Sequence, residues 1–152
     1  MREHAIVPVE LFDITDVGRM HDAFAVRMRV FVEEQGVPPE LEVDEHDRTD
    51  LRAVHALVRE GGEAVGAGRF YELDAATVQI GRMAVTAARR GGGVGGRILV
   101  ALVEEARRRG YSRARLHAQM HATDFYAKAG FAMCDETLWD AGILHQTMEL
   151  GL

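Results

Sequence analysis

The stretch Arg89-Arg90-Gly91-Gly92-Gly93-Val94-Gly95-Gly96 decides how this chain is read. It lies between a strand-like run, Thr77 to Val85, and a helical one. In the latter, Ile98, Leu99, Leu102, Val103 and Ala106 fall on a single stripe. Five of the chain's 16 glycines are packed into Gly91–Gly96. Glycine reaches positive φ freely and leaves no Cβ to hold a ligand away from the backbone. Successive N–H groups at a helix N-terminus, reinforced by the helix dipole, favour an anion. A diphosphate is the natural guest, and Arg89 and Arg90 add charge at the rim. A mere turn would give up much backbone entropy for so many glycines. Gly91, Gly93 and Gly96 also match the dinucleotide pattern G-x-G-x-x-G, but the context does not. That pattern opens a parallel sheet and wants an acid about 20 residues on. Here several strands come first, and Gly110 to Gln119 holds no Asp or Glu. No Gly-Lys-Ser/Thr follows, so a nucleotide P-loop fails as well.

Working outward, Ala5 to Val9 reads as a first strand. Asp16 to Glu34 reads as one helix, with Thr15 as its N-cap and Val17, Met20, Phe24, Met28, Phe31 and Val32 as its stripe. Gly36, Pro38 and Pro39 end it, and a long acidic loop runs to about Asp50. Ala53 to Arg59 and Ala64 to Leu73 form a hairpin about Gly61-Gly62, and Thr77 to Val85 is the next strand. After the glycine loop come a helix from Val94 to about Arg109, a strand Ser112 to Gln119 and a short helix Ala122 to Ala129. Two strands close the chain, Phe131 to Trp139 and Leu144 to Leu150. The expected class is α+β: a mixed, mostly antiparallel sheet of about seven strands with helices on both faces. Thr77 to Gln119 supplies its one parallel β-α-β crossover, which carries the glycine loop.

The 152 residues suit a single domain spanning 1–152. The lone Cys134 excludes an intrachain disulfide and a cysteine-based metal site, and a reducing cytoplasm is the expected compartment. Met1 to Glu10 lacks the apolar core of a signal peptide, and no run of about 18 apolar residues spans a membrane. A net charge of −6 argues against a nucleic-acid partner. Glu33 to Asp50 holds eight acids, which read either as a solvated loop or as a surface that steers a cationic substrate.

Arg90-Gly91-Gly92-Gly93-Val94-Gly95 resembles the Arg/Gln-x-x-Gly-x-Gly/Ala signature of the GCN5-related N-acetyltransferases, the GNAT superfamily. Ile80-Gly81-Arg82-Met83-Ala84-Val85 resembles that family's pantetheine-lining strand, and Phe125-Tyr126-Ala127-Lys128-Ala129-Gly130-Phe131 its F-Y-x-K-x-G-F segment. Within it, Met28 to Pro38, Ala118-Gln119-Met120-His121 and Gly142-Ile143-Leu144-His145 are similar to the ElaA-type branch. Two departures stand out. Ala141 to His145 replaces that branch's usual Asp-Gly-Ile-Pro-His, and Gln119 stands where many members carry Asn.

The resemblance implies acetyl-CoA as donor, a small primary amine as acceptor and no metal. It also implies a homodimer through exposed sheet edges. Met83, Ala84 and Val85 would meet pantetheine through their backbone, and Arg90, Gly91, Gly92, Gly93, Val94, Gly95 and Gly96 would take the diphosphate. Gln119, Phe125 and Lys128 complete the implied donor site. Tyr126 is the general-acid candidate, because a phenol of pKa about 10 keeps its proton at neutral pH. No Glu stands on the strand before the loop. The general-base candidates are therefore Glu34, His55, His117, His121 and His145, with His121 first and His145 second; Glu34, His55 and His117 are placed on the acceptor side, and a relay of waters is the alternative base. Strand alternation sets His117 and Gln119 on one face, opposite Leu116 and Ala118. A non-catalytic acyl-CoA-binding sensor is the alternative function. A metal enzyme built on Glu45-His46, His121 and His145 lacks paired-His spacing.

Overall fold

The structure, a computed structural model, describes residues 8–152. Most of the strand expected at Ala5 to Val9 lies outside them, and β1 is found at Glu10–Phe12. It is followed by α1 (Val17–Arg27), a π-helical turn (Met28–Glu34), α2 (Pro39–Glu42) and α3 (Glu45–Arg48). Then come β2 (Val54–Glu60), β3 (Glu63–Asp74), β4 (Thr77–Val85), α4 (Val94–Arg108) and β5 (Arg113–Gln119). The chain ends with α5 (Thr123–Lys128), β6 (Ala132–Asp140) and β7 (Ile143–Gly151). The seven strands form one sheet in the order β1-β2-β3-β4-β5-β7-β6. Only β4 and β5 pair in parallel; every other pair is antiparallel.

Alternation along the strands gives the sheet two unlike faces. On one, Phe70, Val78, Ile80, Leu116 and Met148 pack under Ile98, Leu99 and Leu102 of α4. Two glycines of β3 set how closely α4 approaches. A Cβ on Gly66 would stand 2.6 Å from Val94, and one on Gly68 would stand 2.8 Å from Ile98. Neither would fit without displacing the helix whose N-terminus carries the glycine loop. On the other face, Ala23, Val26 and Val30 cover Leu57, Ala67 and Ala84. Among the described residues, no helix is long and apolar enough to cross a membrane.

The first helix differs from its sequence pattern in three ways. Asp16, not Thr15, caps it, accepting from Arg19 N, while Thr15 bonds back to Asp13. The α-helix stops at Arg27 and continues as the π-helical turn. The buried stripe is Met20, Ala23, Val26, Arg27 and Val30, and Val17 is exposed. An arginine thus occupies a core position, and the acidic segment explains how.

That segment is neither a solvated loop nor a steering surface at its centre. Glu42 and Asp47 are buried. Arg27 Nε donates to Glu42 Oε1 at 2.7 Å, and its two terminal nitrogens donate to the Asp47 carboxylate at 2.8 Å each. Arg69 of β3 holds Asp44 through two bonds of 2.7 and 2.6 Å and reaches Asp47 at 2.9 Å. Arg82 of β4 bonds the carbonyls of Leu41 and Glu42. Three arginines from the helix and the sheet therefore neutralise three acids of the segment. The fork of a guanidinium matches a carboxylate bidentately, which makes such pairs strong enough to tolerate burial.

Candidate active site

Parallel pairing of β4 with β5 runs only from Thr77/Arg113 to Ile80/Leu116. Beyond that point β4 stays with β3 and β5 stays with β7, so the two arms part. A cleft of about 730 Å³ opens between them. A bulge sharpens the divergence. Ala67 and Arg69 pair with Ala84 and Gly81, so that Arg82 and Met83 oppose the single residue Gly68. Arg82 adopts φ +53 there. A non-glycine residue in that region costs about 1–3 kcal/mol and persists only where its surroundings hold it. Here the carbonyls of Leu41 and Glu42 and the Asp44 carboxylate hold its guanidinium. The acidic segment thereby fixes the backbone at the mouth of the cleft.

Past Val85 a short turn (Ala87–Arg89) leads into the glycine loop. Gly91 and Gly93 take φ +83 and +82, which explains why glycine stands at both. Gly93 caps α4 without a side chain, and Arg97 N is the donor to its carbonyl. The N–H groups of Val94, Gly95 and Gly96 precede that bond and have no intrahelical acceptor. A Cβ added at Gly91, Gly93 or Gly96 would meet nothing within 4 Å. The loop is thus an open cradle of backbone donors at a helix N-terminus, and it fits a diphosphate. At its edge, Gly95 lies against the ring of Phe125, and Lys128 is exposed on the same helix, α5.

Arg90 does not sit in the cradle. Its Nε donates to the carbonyl of Val85 at 3.0 Å and its Nη2 to Glu34 Oε2 at 2.7 Å. Val85 O therefore faces the free edge of β4. Gln119 ends β5 and exchanges two amide hydrogen bonds with Gln35, at 2.9 and 3.3 Å. Glu34 and Gln35, consecutive residues, thus reach to both arms of the cleft.

Tyr126 lines the cleft and is 8 % exposed, with its ring edge-on to Phe125 and Phe131. Burial pushes its phenol up to about 12. His145 lines the cleft from β7, and its Nδ1 lies 2.8 Å from the carbonyl of Ile143. A carbonyl can only accept, so Nδ1 carries the proton and Nε2 of the neutral ring keeps its lone pair. His117 and exposed His121 also line the cleft. Partial desolvation, then the charge of Arg115, lowers the His117 pKa from the usual histidine value, although its side chain is exposed. His55 is not brought to the site. It is 1 % exposed under the acidic segment, with Nε2 at 3.2 Å from the carbonyl of His46. The cause is register: His55 pairs with Arg69 on the sheet face that the segment covers.

Sequence reasoning missed Gln35 and the cleft residues Arg69, Tyr71 and Gln79. It also missed the role of Arg27, whose signal was present: a charged residue on the stripe of an amphipathic helix, near an excess of acids.

The family model for an acetyltransferase (GNAT) domain matches residues 25–152. This chain belongs to the GNAT acetyltransferase family. It is accordingly an acyltransferase. A Bacillus subtilis relative, described as the uncharacterized N-acetyltransferase YjcF, is 40% identical over 131 residues, covering 86% of this chain and 91% of its own. The crystal structure of Escherichia coli ElaA superposes with a TM-score of 0.83 at 27% identity, over 95% of this chain and 99% of that one. An aminoglycoside 6'-N-acetyltransferase complexed with coenzyme A shares the fold, with a TM-score of 0.73 at 15% identity over 94% of this chain and 96% of that one. The GNAT chain differs from the ElaA-type turn sequence at Ala141, which adopts φ +50 beside Gly142 at φ +77. The turn is left-handed at Ala141, a residue that favours that region less than Asp does.

Proposed function

We propose that this GNAT protein transfers an acetyl group from acetyl-CoA to a primary amine by direct attack in the cleft between β4 and β5. One observation carries the reading: the free edge of β4 leads from the splay directly into an open cradle of backbone donors. The backbone of Met83, Ala84 and Val85 pairs with the pantetheine arm. The N–H groups from Gly91 to Gly96 hold the diphosphate, with Phe125 and Lys128 flanking it and Gln119 facing it from β5. Acetyl-CoA supplies an acetyl group already activated as a thioester.

The chain's own residues then handle protons. Tyr126 keeps its proton at every physiological pH, because burial holds its phenol at about 12. Its hydroxyl donates to the departing sulfur. His145 Nε2 receives the proton lost by the amine, and the bond from Nδ1 to Ile143 O keeps the ring oriented. This geometry favours His145 over His121, whose ring is exposed at the mouth.

The test is a CoA-release assay with acetyl-CoA over a library of primary amines. At least one amine should release CoA, and His145→Gln should lower kcat/KM about a hundredfold, at the lower edge of what a positioned base contributes. Acetyl-CoA binding without CoA release from any amine would support the non-catalytic sensor instead.

A further inference from the structure

The geometry points to Arg90 as a shared partner of Glu34 and of the donor's diphosphate, so that the ion pair with Glu34 is given up when the donor binds. Donor binding then uncovers Glu34 as the counter-ion for a cationic acceptor. This rests on the acetyl-CoA reading and deepens it: the carboxylate that holds Arg90 becomes the acceptor's partner.

Three observations support the exchange. First, Arg90 is engaged on the wrong side for a phosphate ligand. Its guanidinium spans from Val85 O to Glu34 at the cleft wall, although the cradle begins at the next residue. Pantetheine pairing with β4 would need the same Val85 carbonyl, so donor and Arg90 compete for it. Second, the ion pair is built to be given up. The side chains of Arg90 and Glu34 are 47% and 36% exposed, and such pairs are weak and screened. A diphosphate offers a guanidinium more charge and bidentate geometry. Third, Glu34 stays at the cleft after release. It ends the π-helical turn, and Gln35 remains tied to Gln119 by two amide bonds. π-helical turns are uncommon and concentrate at functional sites.

Charge identifies what Glu34 would meet. The other carboxylates on that wall, Glu42 and Asp44, are already neutralised by Arg27, Arg69 and Arg82. Freed from Arg90, Glu34 adds a negative charge that an ammonium group would balance.

Calorimetry with coenzyme A on the full chain tests the exchange without knowledge of the acceptor. Glu34→Gln removes the competitor for Arg90 and should tighten coenzyme A binding about two- to fivefold. Arg90→Gln should weaken it, and adding Glu34→Gln to Arg90→Gln should change nothing further. Unchanged or weaker binding by Glu34→Gln alone, or a gain that persists without Arg90, overturns the exchange. With an amine that releases CoA, Glu34→Gln should raise the amine KM severalfold; an unchanged KM overturns the counter-ion role. Failure of the unaltered protein to bind coenzyme A would overturn the proposed function itself.

Discussion

Tyr126→Phe is expected to lower kcat about a hundredfold while leaving coenzyme A affinity unchanged. The substitution removes one oxygen and keeps the ring, so the edge contacts with Phe125 and Phe131 survive and the fold is not disturbed. What disappears is a protonated hydroxyl in a desolvated wall of the cleft. Without it, a thiolate leaves unprotonated into low-dielectric surroundings, or waits for water. Affinity is expected to hold because, on the proposed reading, backbone groups of β4 and the glycine loop grip the donor. The pH profile adds a check. With the phenol at about 12, Tyr126 contributes no titration between pH 6 and 9, and any limb there belongs to another group. CoA-release kinetics with calorimetry settle the matter: an unaltered kcat with an accepted amine would remove Tyr126 from the chemistry.

Arg27→Met is expected to destabilise the fold by about 3–5 kcal/mol, the usual cost of stripping one partner from a buried ion pair. Methionine keeps the apolar stem, so the loss reports the charge rather than a cavity. Arg27 is 1 % exposed and makes four hydrogen bonds, three to carboxylate oxygens of Glu42 and Asp47 and one to the Glu42 carbonyl. Without it Glu42 is left in the interior with only Arg82 at 3.4 Å. Urea unfolding at neutral pH measures the loss; a value under about 1 kcal/mol would show that the network carries little stability. The network also has a pH signature. Burial alone would raise the Asp47 pKa, but the hydrogen bonds and charge of Arg27, then the charge of Arg69, outweigh it and hold the group well below the carboxylate range. A depressed folded-state pKa stabilises fully above the unfolded value of about 3.9 and loses that contribution as pH falls below it. The contribution of Asp47 should therefore be constant near neutrality and be lost below about pH 4, and Asp47→Asn should reduce that part of the acid limb.

Much of the architecture was legible because it is written locally. β4 matches its expected span, Thr77–Val85, and α4 ends one residue short of it. Both follow from period-2 and period-3.6 patterns bounded by glycine. The parallel crossover follows from a strand, a helix and a strand in sequence. The π-helical turn was not legible, since an amphipathic stripe continues across it with little change of phase. Two short helices in the acidic segment were hidden for another reason: each has only four residues and is held by ion pairs to distant elements.

The candidate site divides in the same way. The glycine cradle and the Tyr126 segment declare themselves because consecutive residues serve one local geometry. His55 could not be told from His145, because both are histidines on strands. One is sealed beneath the acidic segment and the other opens into the cleft only because of which strands lie beside them. By itself, then, the sequence determined the order of elements, the glycine loop and the family. Tertiary structure alone decided where the acids of Glu33 to Asp50 go, which histidines reach the cleft, and that Arg90 faces Glu34. The physical reason is range. Backbone periodicity and φ preferences act over a few residues, whereas a buried charge finds its partner wherever folding brings one: 20 residues away for Arg27 and Asp47, and 56 for Glu34 and Arg90.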